Sequence, residues 1–242
     1  MSKVSRVARL LQVVAGSLLL MVFQGETTPA ATNVEAEMPV YVAPQHITPR
    51  ARLGGSLRGA AGEDPVVAAL VPDHVGLTIR KQPELNWFLS KRTSLPIRFT
   101  LIDERSIRAL LERSLAPPYE AGVHVVKLSE EGFTLQPDVQ YRWYISVIRD
   151  PDSPSRDIVT GGIIERCDFS ECMMLDATTT CSREAVVANA AKGFWYDAMA
   201  CLCELIEANP EDAALRQQRA ALLKQVGLHD VAEWDLAQSN HH

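Results

Sequence analysis

Positive charge is scarce in this 242-residue chain: 24 Lys and Arg stand against 30 Asp and Glu, a formal charge of −6. No basic footprint is present for nucleic acid or anionic lipid, and both are excluded as expected partners. The short motifs of common chemistries are also missing, with no G-x-S-x-G, H-E-x-x-H, P-loop or G-x-G-x-x-G. The pairs Gly54-Gly55 and Gly161-Gly162 lack the strand-to-helix setting of a phosphate cradle, and the second reads as a bulge in a strand. His46, His74, His124 and His229 are scattered, and His241 and His242 end the chain. His124, beside Val125 and Val126, reads as a strand surface residue rather than a general base. There is no C-x-x-C, and His229 has no partner at ligand spacing, so no metal or redox centre is expected. The expectation is a protein that is not an enzyme and holds no cofactor.

Long apolar runs are missing too, with one partial exception at the start. Lys3, Arg6 and Arg9 precede an apolar stretch from Leu10 to Phe23, and Glu26 follows soon after. At about 1.5 Å per residue such a helix reaches only about 21 Å, short of a ~30 Å hydrocarbon core. The segment therefore reads as a signal peptide over residues 1–31, with cleavage after Ala30 or Ala31, rather than as a retained anchor. No cysteine follows it to take a lipid. The expected product is periplasmic or secreted, without stable membrane insertion after cleavage.

Cysteine is sparse and confined to the last third: Cys167, Cys172, Cys181, Cys201 and Cys203. In an oxidising compartment an odd number leaves at least one thiol unpaired. Cys167, Cys172 and Cys181 lie where strand-rich sequence gives way to helical sequence, and are the disulfide candidates that would staple the junction. Cys201 shares a helical face with Ala198 and Leu205 and is expected to be buried. Cys203 points away and is the expected unpaired thiol.

What is there falls into segments. Residues 32–64, rich in Pro, Gly and Ala, read as an extended lead-in. Over residues 65–166, strand-length apolar runs alternate with turn residues: Val66 to Val71, Leu85 to Leu89, Ile97 to Ile102, Val123 to Leu128, Tyr141 to Ile148 and Ile158 to Ile164. That number of short strands predicts an antiparallel β-sandwich. Alternation is clearest where Tyr141, Trp143, Ile145 and Val147 share one face, the predicted core face. Just upstream, Leu135-Gln136-Pro137-Asp138-Val139-Gln140-Tyr141 resembles the tyrosine corner of immunoglobulin and fibronectin type III domains. Inward placement of Leu85, Trp87 and Leu89 would leave Phe88 on the outer surface with Tyr144 if the two strands are neighbours. Glu104 to Arg113 fits either a helix or a strand.

Residues 167–181 form a cysteine-containing connector, and from Ser182 the period becomes 3.6. Gly193, Ala198 and Leu202 return thirty-four residues later as Gly227, Ala232 and Leu236. Together with Leu205 and Pro210 they resemble tetratricopeptide repeats, although that family's first-helix aromatic and Leu-Gly are missing. Residues 182–238 are therefore expected to be two degenerate tetratricopeptide-like hairpins, with helices over Ser182–Ala191, Phe194–Ala208, Ala213–Val226 and Asp230–Gln238. Two units are too few to stand alone, so the sandwich is expected to cover their apolar face. The predicted class is α+β.

Asp150, Asp152 and Asp157 stand close together with Ser153 and Ser155 and could offer oxygen ligands to Ca²⁺. Pro151, Pro154 and Arg156 favour a plain hairpin turn instead.

Several short motifs carry a wider likeness. These are Tyr41-x-x-Pro44, Gly54-Gly55-x-x-Arg58-Gly59, Ala68-Ala69-Leu70-Val71-Pro72, Gly76-Leu77-Thr78, Trp87-Phe88, Tyr141-Arg142-Trp143 and Trp195-Tyr196-Asp197-Ala198. Over about residues 40 to 230 the chain resembles the exported bacterial proteins grouped as domain of unknown function 928. The resemblance implies export and assigns no activity. Two readings of function remain. One is a non-catalytic adaptor that docks another envelope or exported protein; the other is a glycan-binding module. Phe88, Tyr144, Trp195 and Tyr196 are the candidate contact residues. A row of exposed rings would favour glycan, and rings buried beneath the helices would favour the adaptor.

Overall fold

The computed structural model describes residues 37–44, 51–54, 64–103, 106, 108–115, 117–167 and 180–238. The expected signal peptide, most of the lead-in and Cys172 lie outside the described residues. The architecture is α+β, with two sheets followed by four helices. The strands are β1 Val67–Ala69, β2 Gly76–Thr78, β3 Glu84–Leu89, β4 Ile97–Asp103, β5 Ala109–Leu115, β6 Gly122–Lys127, β7 Gln140–Val147 and β8 Ile158–Arg166. The helices are α1 Arg183–Ala191, α2 Trp195–Ala208, α3 Ala213–Gln225 and α4 His229–Gln238.

One sheet has the order β1-β3-β6 and the other the order β2-β8-β7-β4-β5. The pairing is not antiparallel throughout, because β2 runs parallel to β8 with Gly76 opposite Ile164. No hairpin joins these two strands, so nothing in the connection forces opposite directions. From Ala109 on, the ambiguous segment belongs to β5, antiparallel to β4, with Leu111 opposite Leu101 and packed on the core. In β7, Tyr141, Trp143, Ile145 and Val147 are buried and alternate with half-buried residues, as period two requires. The Tyr141 hydroxyl accepts from the Gln136 amide at 3.1 Å and ties the crossing loop to the strand that follows it.

Each helix lies within one residue of its expected bounds. Ser182 caps α1 by accepting from the Ala185 amide, and Asp212 caps α3 by accepting from that of Ala214. The repeat is also a repeat in geometry: Gly193 and Gly227 turn the chain after α1 and α3 with φ of +83° and +78°. Ala198 and Ala232, five residues beyond each turn, are both fully buried.

Helix α2 joins the helices to the strands. Trp195 donates its indole N–H to the Leu70 carbonyl at 2.8 Å, and Tyr196 donates its hydroxyl to that of Ile163 at 3.2 Å. The Tyr196 ring crosses Gly76 so closely that a Cβ there would lie 2.6 Å from it. Buried residues from both sheets and all four helices form one continuous apolar cluster, and Ile163 on β8 packs separately with Ala51 and Val75. Of the described part of the lead-in, Leu53 bridges β8 opposite Gly161, and residues 37–42 are clasped to the helices. Gln218 donates to the Glu37 carbonyl, Gln225 to that of Pro39, and the Val42 amide to Ala190.

Candidate functional site

A sheet whose outermost strand has no second neighbour exposes unpaired peptide groups. Among the described residues strand β6 ends its sheet in this way, pairing only with β3. Against it runs a groove of about 600 Å³, with β5 and the Tyr119 loop on one side and α2, α3 and α4 on the other.

The groove contains polar atoms that the fold leaves unused. Asn86 on β3 is 2% exposed, and neither its amide nitrogen nor its carbonyl oxygen has a hydrogen-bond partner among the described residues. The indole nitrogen of Trp87 is likewise buried and without a partner. Orphans of this kind cost about 1–3 kcal/mol each. Trp87 stacks on His124 with ring centroids 4.6 Å apart, and Tyr119 meets His124 edge-on at 5.3 Å. His124 donates Nε2–H to the Glu120 carbonyl at 2.8 Å, and burial holds its pKa below the ordinary value. The imidazole is thus a neutral member of an aromatic wall.

The helical wall is fixed by a buried ion pair. Arg219 on α3 grips Asp235 on α4 through two hydrogen bonds of 2.7 and 2.6 Å, and Arg216 lies 3.5 Å from the same carboxylate. Arg219 also donates to the Cys203 sulfur at 3.5 Å. Burial raises the Cys203 pKa, against the pull of Arg219. Val125, 41% exposed, stands on β6 at the opening.

None of the four candidate rings lines this groove. Phe88 was expected on an outer surface with Tyr144, and that placement is corrected. Strands β3 and β7 belong to different sheets, and Phe88 is fully buried with its ring 5.0 Å from that of Trp234 on α4. Trp195 and Tyr196 are buried in the core, while Tyr144 stands half-buried on β7 opposite Gly161. The Asp150 carboxylate accepts from the Asp152 amide at 3.0 Å and meets Arg156 at 3.5 Å. Asp157 accepts from the Arg149 amide at 3.4 Å. Asp150 and Asp157 thus cap their own turn, and among the described residues no cluster of His, Cys, Asp or Glu is arranged to hold a metal.

The cysteines divide in an unexpected way. Cys167 is disulfide-bonded to a partner outside the described residues, while Cys181, Cys201 and Cys203 carry free thiols. Cys181, a disulfide candidate by sequence, is therefore reduced. It is not bonded to Cys167 and lies beside Arg80 and Cys201.

The family model described as Domain of Unknown Function (DUF928) matches residues 53–236. The chain belongs to this family. The DUF928 match covers both sheets and nearly all of the four helices, so strands and helices together make up the family's unit. It assigns no activity. A comparison with curated proteins finds no match.

Proposed function

We propose that the protein is an exported, non-catalytic docking module whose groove receives an extended segment of another envelope or exported protein, in the periplasm or after secretion. The segment lies along β6 as an added strand. The observation that carries this reading is the meeting, in one groove, of a strand edge unpaired among the described residues with the orphaned Asn86 amide. A polypeptide supplies both, since its backbone offers β6 a donor and an acceptor at every residue, and a long polar side chain reaching back over β6 can meet the Asn86 amide one strand further in. The core shared by sheets and hairpins favours the same role, because it makes the groove walls a single body. The tetratricopeptide-like hairpins and the immunoglobulin-like sandwich serve here as those walls. The glycan reading needs exposed rings, and Phe88, Trp195 and Tyr196 are buried. Among the described residues no helix is long and apolar enough to cross a membrane.

The test places a photo-crosslinking amino acid at Val125 of the full chain in its native envelope, with Val42 as the control position. One defined polypeptide captured from Val125, not from Val42, and lost on Asn86→Leu is the expected result. Asn86→Leu removes the orphaned amide, so the variant should be at least as stable as the parent, and loss of capture cannot then be assigned to unfolding. Capture that survives Asn86→Leu, or that is equal from both positions, overturns the reading.

A further inference from the structure

Two of the three free thiols face each other where the helices meet the strands. Cys181 lies two residues ahead of α1, and Cys201 lies on α2, 1% exposed. The Cys201 thiol is 3.8 Å from the carbonyl oxygen of Ser182, the residue that follows Cys181 in the chain. The two thiols are within hydrogen-bonding reach of each other. Cys181 is half-buried, and its sulfur accepts from Arg80 Nη2 at 3.5 Å. Arg80 in turn pairs with Asp197, one turn before Cys201 on α2, at 3.5 Å. Glu204 completes the surroundings of Cys181.

We propose that Cys181 and Cys201 are a dithiol that closes into a second disulfide by exchange with a disulfide of the glutathione class, fastening the segment ahead of α1 to α2. The two steps balance. Cys181 gives its proton to solvent, and its thiolate attacks one sulfur of the glutathione disulfide. The S–S bond of that reagent breaks, and one glutathione leaves as a thiolate that takes up a proton. Cys201, after losing its proton, attacks the Cys181 sulfur of the mixed disulfide, and the second glutathione leaves in the same way. Two cysteine thiols are oxidised and one glutathione disulfide is reduced to two glutathione molecules.

The order of attack follows from the surroundings. Burial raises both thiols; at Cys181 the hydrogen bonds with Cys201 and Arg80 oppose that rise and Glu204 adds to it, whereas at Cys201 the contact with Cys181 raises the thiol further. Cys181 is also the more exposed sulfur, so it ionises first and meets the reagent first. The cysteine count then closes: with Cys167 already bonded and this pair joined, Cys203 remains as the odd thiol, held by Arg219.

Peptide mapping of the full chain decides the matter. Trypsin leaves Cys181 on the fragment 167–183 and Cys201 on the fragment 193–216, which also carries Cys203. A Cys203→Ser protein is incubated with glutathione disulfide, alkylated under denaturing conditions and digested without reduction. Fragments 167–183 and 193–216 are expected to be linked. The linkage should vanish when Cys181→Ser is added, and Cys201→Ser should instead leave Cys181 as a stable mixed disulfide with glutathione. Separate fragments with an alkylated or glutathionylated Cys201 overturn the proposal, as does a linkage that persists without Cys181.

Discussion

The indole nitrogen of Trp143 donates to the hydroxyl of Tyr196 at 2.9 Å, a hydrogen bond between the core face of β7 and the first turn of α2. The same hydroxyl donates to the Ile163 carbonyl, so one phenol oxygen joins two strands and a helix inside the core. Burial keeps the phenol neutral far above physiological pH. Replacing it by Phe would leave the Trp143 N–H and the Ile163 carbonyl without this partner while filling almost the same volume. Tyr196→Phe is expected to cost about 1–3 kcal/mol in urea denaturation, with an unchanged slope. A loss below about 0.5 kcal/mol would show that water replaces the hydroxyl and that the junction depends on packing alone.

Asp197, on the same turn of α2, gives a pH signature. Burial pushes its carboxyl up to about 6, although the Ile79 amide, Arg80 and Thr78 all pull it down. The folded pKa lies above the unfolded value, so between about pH 4 and 6 the native state binds more protons than the unfolded chain. Stability from this group is fully present below the unfolded pKa and falls as pH rises towards 6. The expected loss is roughly 3 kcal/mol. Asp197→Asn removes the titration, so the stability difference between parent and variant should drift across this window and level off above it. Parallel curves from pH 4 to 7 would contradict the assignment.

Much of this fold was legible because local rules and tertiary outcome agree. The alternation in β7, the Tyr141 corner and the Gly193/Gly227 repeat each depend on neighbours within a few residues or on one fixed period. Phe88 failed for the opposite reason. Its own strand marks it as the face away from Leu85 and Trp87, and what covers that face is Trp234, 146 positions later in the sequence. Strand β2 is three residues long and paired to a distant edge, so no pattern announced it. The groove was illegible as a unit because three strands and three helices contribute to it. One signal did exist: Asn86 sits inside the apolar run Leu85-Asn86-Trp87-Phe88-Leu89, where a buried amide needs a partner.

The ion pair behind the groove should behave asymmetrically. Arg219 and Asp235 are 4% and 0% exposed and doubly hydrogen-bonded, so removing one leaves the other charged and buried. Asp235→Ala is expected to cost about 3–5 kcal/mol, whereas Arg219→Met with Asp235→Leu should come close to the parent, because both desolvation penalties leave together. Arg216 loses its acceptor in the double variant but lies near enough to solvent to be hydrated. Equilibrium denaturation of the single, the double and the parent checks the order. A double variant as unstable as the single would mean that the pair contributes shape the apolar side chains cannot replace.

The two repeat glycines separate conformational strain from collision. Both hold a left-handed φ, which costs an alanine roughly 1–2 kcal/mol. At Gly227 the nearest atom to a new Cβ is Arg52 Nη2 at 3.8 Å, ordinary contact. At Gly193 a Cβ would lie 2.9 Å from the Val42 carbonyl oxygen and 3.3 Å from Pro44, because the lead-in backbone crosses this turn closely, whereas at the other turn only the Arg52 side chain comes near. Gly193→Ala should therefore lose more stability than Gly227→Ala. Gly132, with φ of +65° and open space around it, sets the cost of strain alone. If Gly132→Ala and Gly227→Ala match while Gly193→Ala falls below both in thermal denaturation, the excess measures how firmly residues 42–44 are held against the first hairpin. Equal losses at all three sites would mean that this segment lifts away at little cost and does not constrain the turn.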